Sequence, residues 1–271
     1  MYIKQPHEVE KIREGGKILA EVLFKISQMV KPGANALEID MEAERLIREA
    51  GGIPAFKGYR GRKSDPPFPS TICASVNTDL VHGIATKEKV FKNGDIFSID
   101  IGMQYPAGSG EGQGGNGYFT DTALTISVGE IPEETKQLMA VTKKALQVGI
   151  DSIKIGGTIA DIGKAIESYV NSAGKYGIVR DLVGHGVGHA VHEDPRVPNF
   201  YDETLHDWKI EPGVVIAIEP MITMGGYKIK VADDGWSIST ADNSLNAHFE
   251  HTIVVTKDGP EVVTRRPGET F

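Results

Sequence analysis

The chain repeats itself about 123 residues out of register, and that internal repeat constrains its fold more than any other feature. Val30-Lys31-Pro32-Gly33 aligns with Ile153-Lys154-Ile155-Gly156. Asn35-Ala36-Leu37-Glu38 then aligns with Thr158-Ile159-Ala160-Asp161, each reading as a helix N-cap with an acid three residues on. The helices that follow, near 36–50 and 159–173, run out at Ala50-Gly51 and Ala173-Gly174. An amphipathic stretch precedes each, at roughly 7–29 and 132–152, the second opened by Pro132 at a first helical position. Each half therefore begins with two helices, and the halves span about 7–129 and 130–260 of one domain covering 1–271.

The repeat continues into strands. Lys92-Asn93-Gly94-Asp95-Ile96-Phe97-Ser98-Ile99-Asp100 matches Glu211-Pro212-Gly213-Val214-Val215-Ile216-Ala217-Ile218-Glu219, a glycine turn, an apolar strand and a terminal acid. A second strand in each half opens with an acid, Asp121 before Thr122-Ala123-Leu124 and Glu250 before His251-Thr252-Ile253. If the halves pack about a pseudo-twofold axis, Asp100, Asp121, Glu219 and Glu250 converge. A lone acid of this kind is usually a solvated strand end. Four at repeat-equivalent positions among apolar neighbours repel one another and are penalised by burial, and divalent cations compensate both costs.

Other features narrow the chemistry. Cys73 is the only cysteine, which excludes an internal disulfide and a thiolate zinc cage, so a metal would be held by carboxylate and histidine. Val183-Gly184-His185-Gly186-Val187-Gly188-His189-Ala190-Val191-His192 places three histidines on a glycine-rich extended segment rather than a helix, a pattern that suits a site better than core filling. His82 repeats the His-Gly-apolar pattern from a strand end. The net charge of −8 without a basic block disfavours nucleic-acid binding, and no run is long enough or apolar enough for a signal peptide or membrane span. A soluble, cytoplasmic protein is expected. Gly110, Gly112 and Gly115 formally satisfy Gly-x-Gly-x-x-Gly, but a strand pattern follows where a phosphate cradle needs a helix; residues 107–117 read as a flexible loop. Arg60-Gly61-Arg62-Lys63-Ser64-Asp65-Pro66-Pro67 reads as a solvated basic loop.

Taken in order, Val81-His82-Gly83-Ile84, Ile99-Asp100, Thr120-Asp121-Thr122, Gly184-His185-Gly186-Val187-Gly188, His192-Glu193-Asp194-Pro195, Ile218-Glu219-Pro220-Met221 and Phe249-Glu250-His251-Thr252 resemble the type I methionine aminopeptidases over nearly the whole chain. The resemblance implies the α+β pita-bread (creatinase/aminopeptidase) fold, with helices packed on a curved antiparallel sheet. It also implies a hydrolase that removes the initiator methionine from nascent proteins, prefers a small second residue and acts through a metal-bridging hydroxide. Asp100, Asp121, His185, Glu219 and Glu250 would be the metal ligands, with Asp121 and Glu250 bridging two divalent ions of Co, Mn, Fe or Zn. Glu219 would also carry the proton, while His82 and His192 would contact the substrate and Tyr59, Phe68, Cys73 and Trp236 would line the methionine pocket. Val191 stands where some relatives carry a larger aromatic residue, and His248 where relatives often carry glutamine. Partners implied are nascent polypeptides beginning with methionine and the ribosome near its exit tunnel, with the enzyme a monomer.

Alternatives within the fold explain the residues less well. Proline-directed relatives usually carry a large domain ahead of the helices, whereas here the first helix starts near residue 7. Type II methionine enzymes insert a helical subdomain between the second histidine and the next glutamate, and only 26 residues separate His192 from Glu219. A catalytically silent binding protein of this fold would not need all five ligand types.

Overall fold

The computed structural model describes residues 3–61, 65–108 and 117–270. The first half contains helices α1 (Pro6–Ser27) and α2 (Ala36–Glu49), then strands β1 (Ile53–Pro54), β2 (Ile72–Val76), β3 (Asp79–Val81), β4 (Ile96–Tyr105) and β5 (Tyr118–Ser127). The second half repeats the order with α3 (Glu133–Asp151) and α4 (Ile159–Ala173). Its strands are β6 (Gly177–Ile178), β7 (Gly184–Gly186), β8 (Glu193–Val197), β9 (Val215–Ile218) and β10 (Met221–Thr223), followed by β11 (Ile229–Val231), β12 (Ile238–Thr240), β13 (Asn246–His248), β14 (His251–Thr256) and β15 (Gly259–Val262). Pro132 precedes α3 as its N-cap instead of occupying the first helical position, which costs nothing because proline has no N–H to leave unpaired.

The repeat survives in hydrogen bonds. Asn35 Oδ1 accepts from the Glu38 N–H at 3.0 Å, and Asp161 Oδ2 accepts from the Thr158 N–H at 2.8 Å, so both second helices are capped at their starts. Gly33 N–H donates to Phe91 O at 2.9 Å and Gly156 N–H to Ile210 O at 2.8 Å, the same bond made in each half. Both glycines are in the left-handed region, with φ of +88° and +82°, where a side chain would be strained. Each half also has its own apolar core. In the first, Leu23, Ile39 and Ile47 of the helices pack on Ile72, Phe97, Ile99 and Ile101. In the second, Leu138, Leu146, Ile162 and Ile166 pack on Ile216, Ile218 and Ile253.

The strands form four antiparallel segments instead of one uninterrupted sheet. The first is built on β4, which pairs β1, β2 and β5, and the largest of the others runs β15-β14-β9-β7-β8. Asp100 was expected at a strand end and Asp121 at a strand start; both instead lie inside long strands, because the β4–β5 ladder continues as far as the Tyr105–Tyr118 pair. Aromatic and β-branched residues favour that extension beyond the acids. Asp100 faces Ala123 and Asp121 faces Gly102, so the two carboxylates are held by ladder register on both sides.

The connection between β4 and β5 includes residues 109–116, which lie outside the described residues, as do 62–64 in the basic loop. Since ladder register holds Asp100 and Asp121, and closure entropy changes by only about 0.6 kcal/mol per doubling of loop length, replacing residues 108–117 with a short turn should leave the melting temperature unchanged or slightly raised. A clear fall in melting temperature would show that the loop does more than connect the two strands.

Candidate metal centre and substrate cavity

The halves meet along β5 and the segment leading into β14, where threonine hydroxyls do the joining. Thr252 Oγ1 accepts from the Asp121 N–H at 3.0 Å and donates to Asp121 O at 2.8 Å. Thr122 Oγ1 donates to Glu250 O at 2.8 Å, and Glu250 N–H donates to Ala123 O at 3.0 Å. These exchanges leave the Asp121 and Glu250 side chains at the junction, 3% and 2% exposed respectively. Asp100 arrives from β4 beside Asp121, and Glu219 follows β9.

His185 completes the group from β7. A Cβ at either flanking glycine would collide with backbone: with the Ala217 carbonyl at Gly184 and the Asp194 carbonyl at Gly186. This close approach explains the alternating glycines. His185 Nδ1 donates to Gly186 O at 2.9 Å, which leaves Nε2 as the ring nitrogen facing the acids. Nε2 lies 3.8 Å from both Asp121 Oδ2 and Glu219 Oε1. One ligand atom from each of Asp121, His185 and Glu250 falls within 4.8 Å of the others.

Burial raises the Asp100 carboxyl to about 6, with the Glu219 charge adding to the rise. Asp121 and Glu250 are pushed well above the ordinary carboxylate range, first by burial and then by the neighbouring acids. Asp100 Oδ1 and Asp121 Oδ1 are buried without a hydrogen-bond partner among the described residues. Mutually repelling carboxylate oxygens with an imidazole nitrogen beside them fit a divalent cation.

The eleven residues to which the resemblance gave a ligand or substrate role all line one cavity of about 390 Å³. The five candidate ligands form its polar end. His82 and His192 also line it, and Tyr59, Phe68, Cys73 and Trp236 form the apolar part with Phe56, with Val191 packed in the same apolar cluster. His82 is presented with φ +55°, an uncommon conformation for a residue with a side chain, and burial lowers its affinity for a proton. His192 is open to solvent through the cavity yet has protein on most sides, and burial beside His185 and His82 drives its pKa down to about 3. His192 is therefore neutral at physiological pH.

His189 does not join the site. Its Nε2 binds Glu8 Oε1 at 2.7 Å, so of the three clustered histidines only His185 and His192 line the cavity. The structure also brings in residues to which the sequence reading gave no role, His248 having been noted only as a departure from the family pattern. His248 is buried with Nε2 3.2 Å from Glu219 Oε2. Arg266, from the C-terminal segment, donates to Thr122 Oγ1 at 3.1 Å and Ala123 O at 3.2 Å, a buried cation behind the acids. Lys4, 1% exposed in its side chain, holds Glu193 Oε2 at 2.6 Å, while Glu193 Oε1 accepts from the N–H groups of His189 and Ala190. None of these has a local sequence signal, because each partner is remote in the chain or unremarkable in type.

Residues 10–257 match the sequence profile described as Metallopeptidase family M24. The chain belongs to this metallopeptidase family. A methionine aminopeptidase of Clostridium acetobutylicum is 41% identical over 262 residues, covering 97% of this chain and 98% of the relative. The crystal structure of a methionine aminopeptidase from Thermotoga maritima superposes with a TM-score of 0.88 at 38% identity, covering 97% of this chain and 99% of that one. A prolidase from Pyrococcus horikoshii OT3 shares the fold, with a TM-score of 0.75 at 24% identity, and this chain covers only 65% of it. The M24 chain thus has the α+β pita-bread fold, and its acids and histidines lie in a metallopeptidase framework.

The Lys4–Glu193 pair ties the N-terminal segment of this family member to the loop carrying His192. Lys4→Met keeps similar bulk but leaves Glu193 without its cation, which should cost about 2–4 kcal/mol, toward the low end of buried-pair losses because Glu193 keeps some contact with water. A urea-denaturation midpoint equal to that of the parent would refute the clamp.

Proposed function

We propose that this chain hydrolyses the peptide bond after an N-terminal methionine, at the junction where its four acids and His185 meet. The reading is carried by one observation: buried carboxylates with oxygens that have no hydrogen-bond partner among the described residues share one cavity with a cluster of aromatic and aliphatic side chains. The apolar part suits an unbranched thioether side chain, with Tyr59, Phe68, Cys73 and Trp236 packed against Phe56 and Val191. Relatives about 40% identical over nearly the full length, named methionine aminopeptidase, support the same reaction.

Asp100, Asp121, His185, Glu219 and Glu250 would hold two divalent ions, drawn from Co, Mn, Fe or Zn. Bound there, such ions polarise a carbonyl and acidify water. Glu219 takes the proton from the attacking water at a carboxylate oxygen and passes it to the leaving amine. His192 donates a hydrogen bond to the oxygen on which charge develops, and His82 contacts the scissile amide. The apolar wall excludes water around the methionine side chain and fixes which bond reaches the acids.

The natural substrates are nascent polypeptides that begin with methionine and carry a small second residue. Among the described residues no helix is long and apolar enough to cross a membrane. Action in the cytoplasm as a monomer, near the ribosomal exit tunnel, fits such substrates.

Met-Ala-Ser should release methionine, a chelator should abolish release, and an Ala-Pro peptide should remain uncut. Glu250→Gln removes one buried charge from the cluster, so metal content should fall and turnover should drop by at least about two orders of magnitude with the fold retained. Normal metal content and turnover in that variant, or chelator-resistant cleavage, would contradict the assignment.

A further inference from the structure

Only one of the two ring nitrogens of His192 has a partner among the described residues. Nδ1 lies 3.0 Å from the Tyr59 hydroxyl, with the two rings edge to face at 76° and their centroids 5.4 Å apart. Nε2 makes no hydrogen bond to those residues. The backbone on either side is already held: Glu193 Oε1 accepts from the Ala190 N–H at 2.8 Å, and Glu193 Oε2 binds Lys4 at 2.6 Å. Loop position is therefore set by Glu193, and what remains open is which nitrogen of the neutral ring carries the proton.

Relative acidity decides which atom donates. A phenol, with an ordinary pKa near 10, is a stronger hydrogen-bond acid than a neutral imidazole N–H, and an imidazole lone pair, whose conjugate acid has a pKa of about 6.5, is a better acceptor than a phenol oxygen. O–H···N is thus favoured over N–H···O at this contact. We propose that Tyr59 is a positioning residue that locks His192 in its Nε2–H tautomer, donating its hydroxyl proton to Nδ1 so that Nε2 offers an N–H to the substrate. This deepens the reading of His192 as a substrate contact and rests on it for its consequence in turnover. The alternative tautomer would present a lone pair to a carbonyl oxygen, which repels where donation is needed. Tyr59 therefore serves the cavity in two ways: its ring packs beside Phe68 and Val191, and its hydroxyl sets a proton position.

Tyr59→Phe separates these roles, because the ring stays and the hydroxyl goes. The tautomer is read directly by 15N NMR of the zinc-loaded protein with labelled histidine, with the His192 signals assigned by their loss in His192→Ala. The parent should show the Nε2–H pattern, and Tyr59→Phe should move it toward a mixture of tautomers with the fold unchanged by circular dichroism. On Met-Ala-Ser, kcat should fall about tenfold or more while KM stays within about twofold, as expected when a mispositioned imidazole proton spoils a step without altering the pocket. Adding Tyr59→Phe to His192→Ala should cost nothing further. An Nδ1–H tautomer in the parent overturns the proposal, and so does an unshifted Nε2–H tautomer in Tyr59→Phe, whatever its rate. If the tautomer shifts as expected but His192→Ala is fully active, the tautomer assignment stands and the substrate-binding reading of His192 is what fails.

Discussion

Mutual repulsion among buried carboxylates is the constraint on which the rest of this structure depends. Two unit charges 4 Å apart interact by about 4 kcal/mol at an effective dielectric of 20, so a few such pairs rival the roughly 5–15 kcal/mol that holds a domain folded. Asp121 and Glu250 are almost wholly buried, and Asp100 stands beside Asp121. An all-ionised cluster without cations is thus not a stable state. The protein can protonate it, which is what the raised pKa values of Asp100, Asp121 and Glu250 describe, or neutralise it with divalent ions. Arg266 eases the repulsion at Glu250 from behind but is a single positive charge.

The pseudo-twofold fold brings these acids together without making either half depend on them. Each half buries its own aliphatic core between two helices and its strands, and the junction itself is polar, made of threonine hydroxyls and backbone groups that satisfy one another. Removing one of these acidic charges should therefore disturb chemistry more than folding. The cavity inherits a division of labour from the same arrangement, with ladder register holding Asp100 and Asp121 while loops supply His192, Tyr59 and Trp236. The loop that carries His192 needs separate anchoring, which Glu193 provides through Lys4 and the N–H groups of His189 and Ala190, while Asp234 Oδ1 accepts from the Trp236 N–H at 2.8 Å.

Much of this was legible in the sequence because the repeat carries its own signals. Helix caps at Asn35 and Thr158, glycine turns before β4 and β9, and acids at matched positions are local patterns, and local patterns translate directly into backbone geometry. What escaped was long-range. The β4–β5 ladder runs past both acids, since strand length is set by cross-strand partners such as Tyr105 and Tyr118 and not by either strand alone. His189 looked like a site residue by proximity to His185, yet the chain turns after Gly188 and sends it to Glu8. Lys4 reads as an ordinary surface lysine until the fold brings it against a carboxylate 189 residues away. His248 was noticed only as a departure from a family pattern, and its contact with Glu219 became visible once β13 was placed.

If raised carboxyl groups and bound cations are two solutions to the same repulsion, one must displace the other. Metal should therefore enter by expelling protons. Calorimetric titration of metal-free protein with Mn(II) near pH 6, in the range to which burial raises the Asp100 carboxyl, separates that exchange from binding itself when run in buffers of different ionisation enthalpy. The sign is fixed by the direction of the shifts: groups with raised pKa hold protons in the metal-free fold and must lose them to coordinate. Net proton release is expected at pH 6, together with tighter binding as pH rises. Stoichiometric metal binding with no proton release at pH 6, and an affinity independent of pH, would contradict the claim that cation and proton compete for one buried acid cluster.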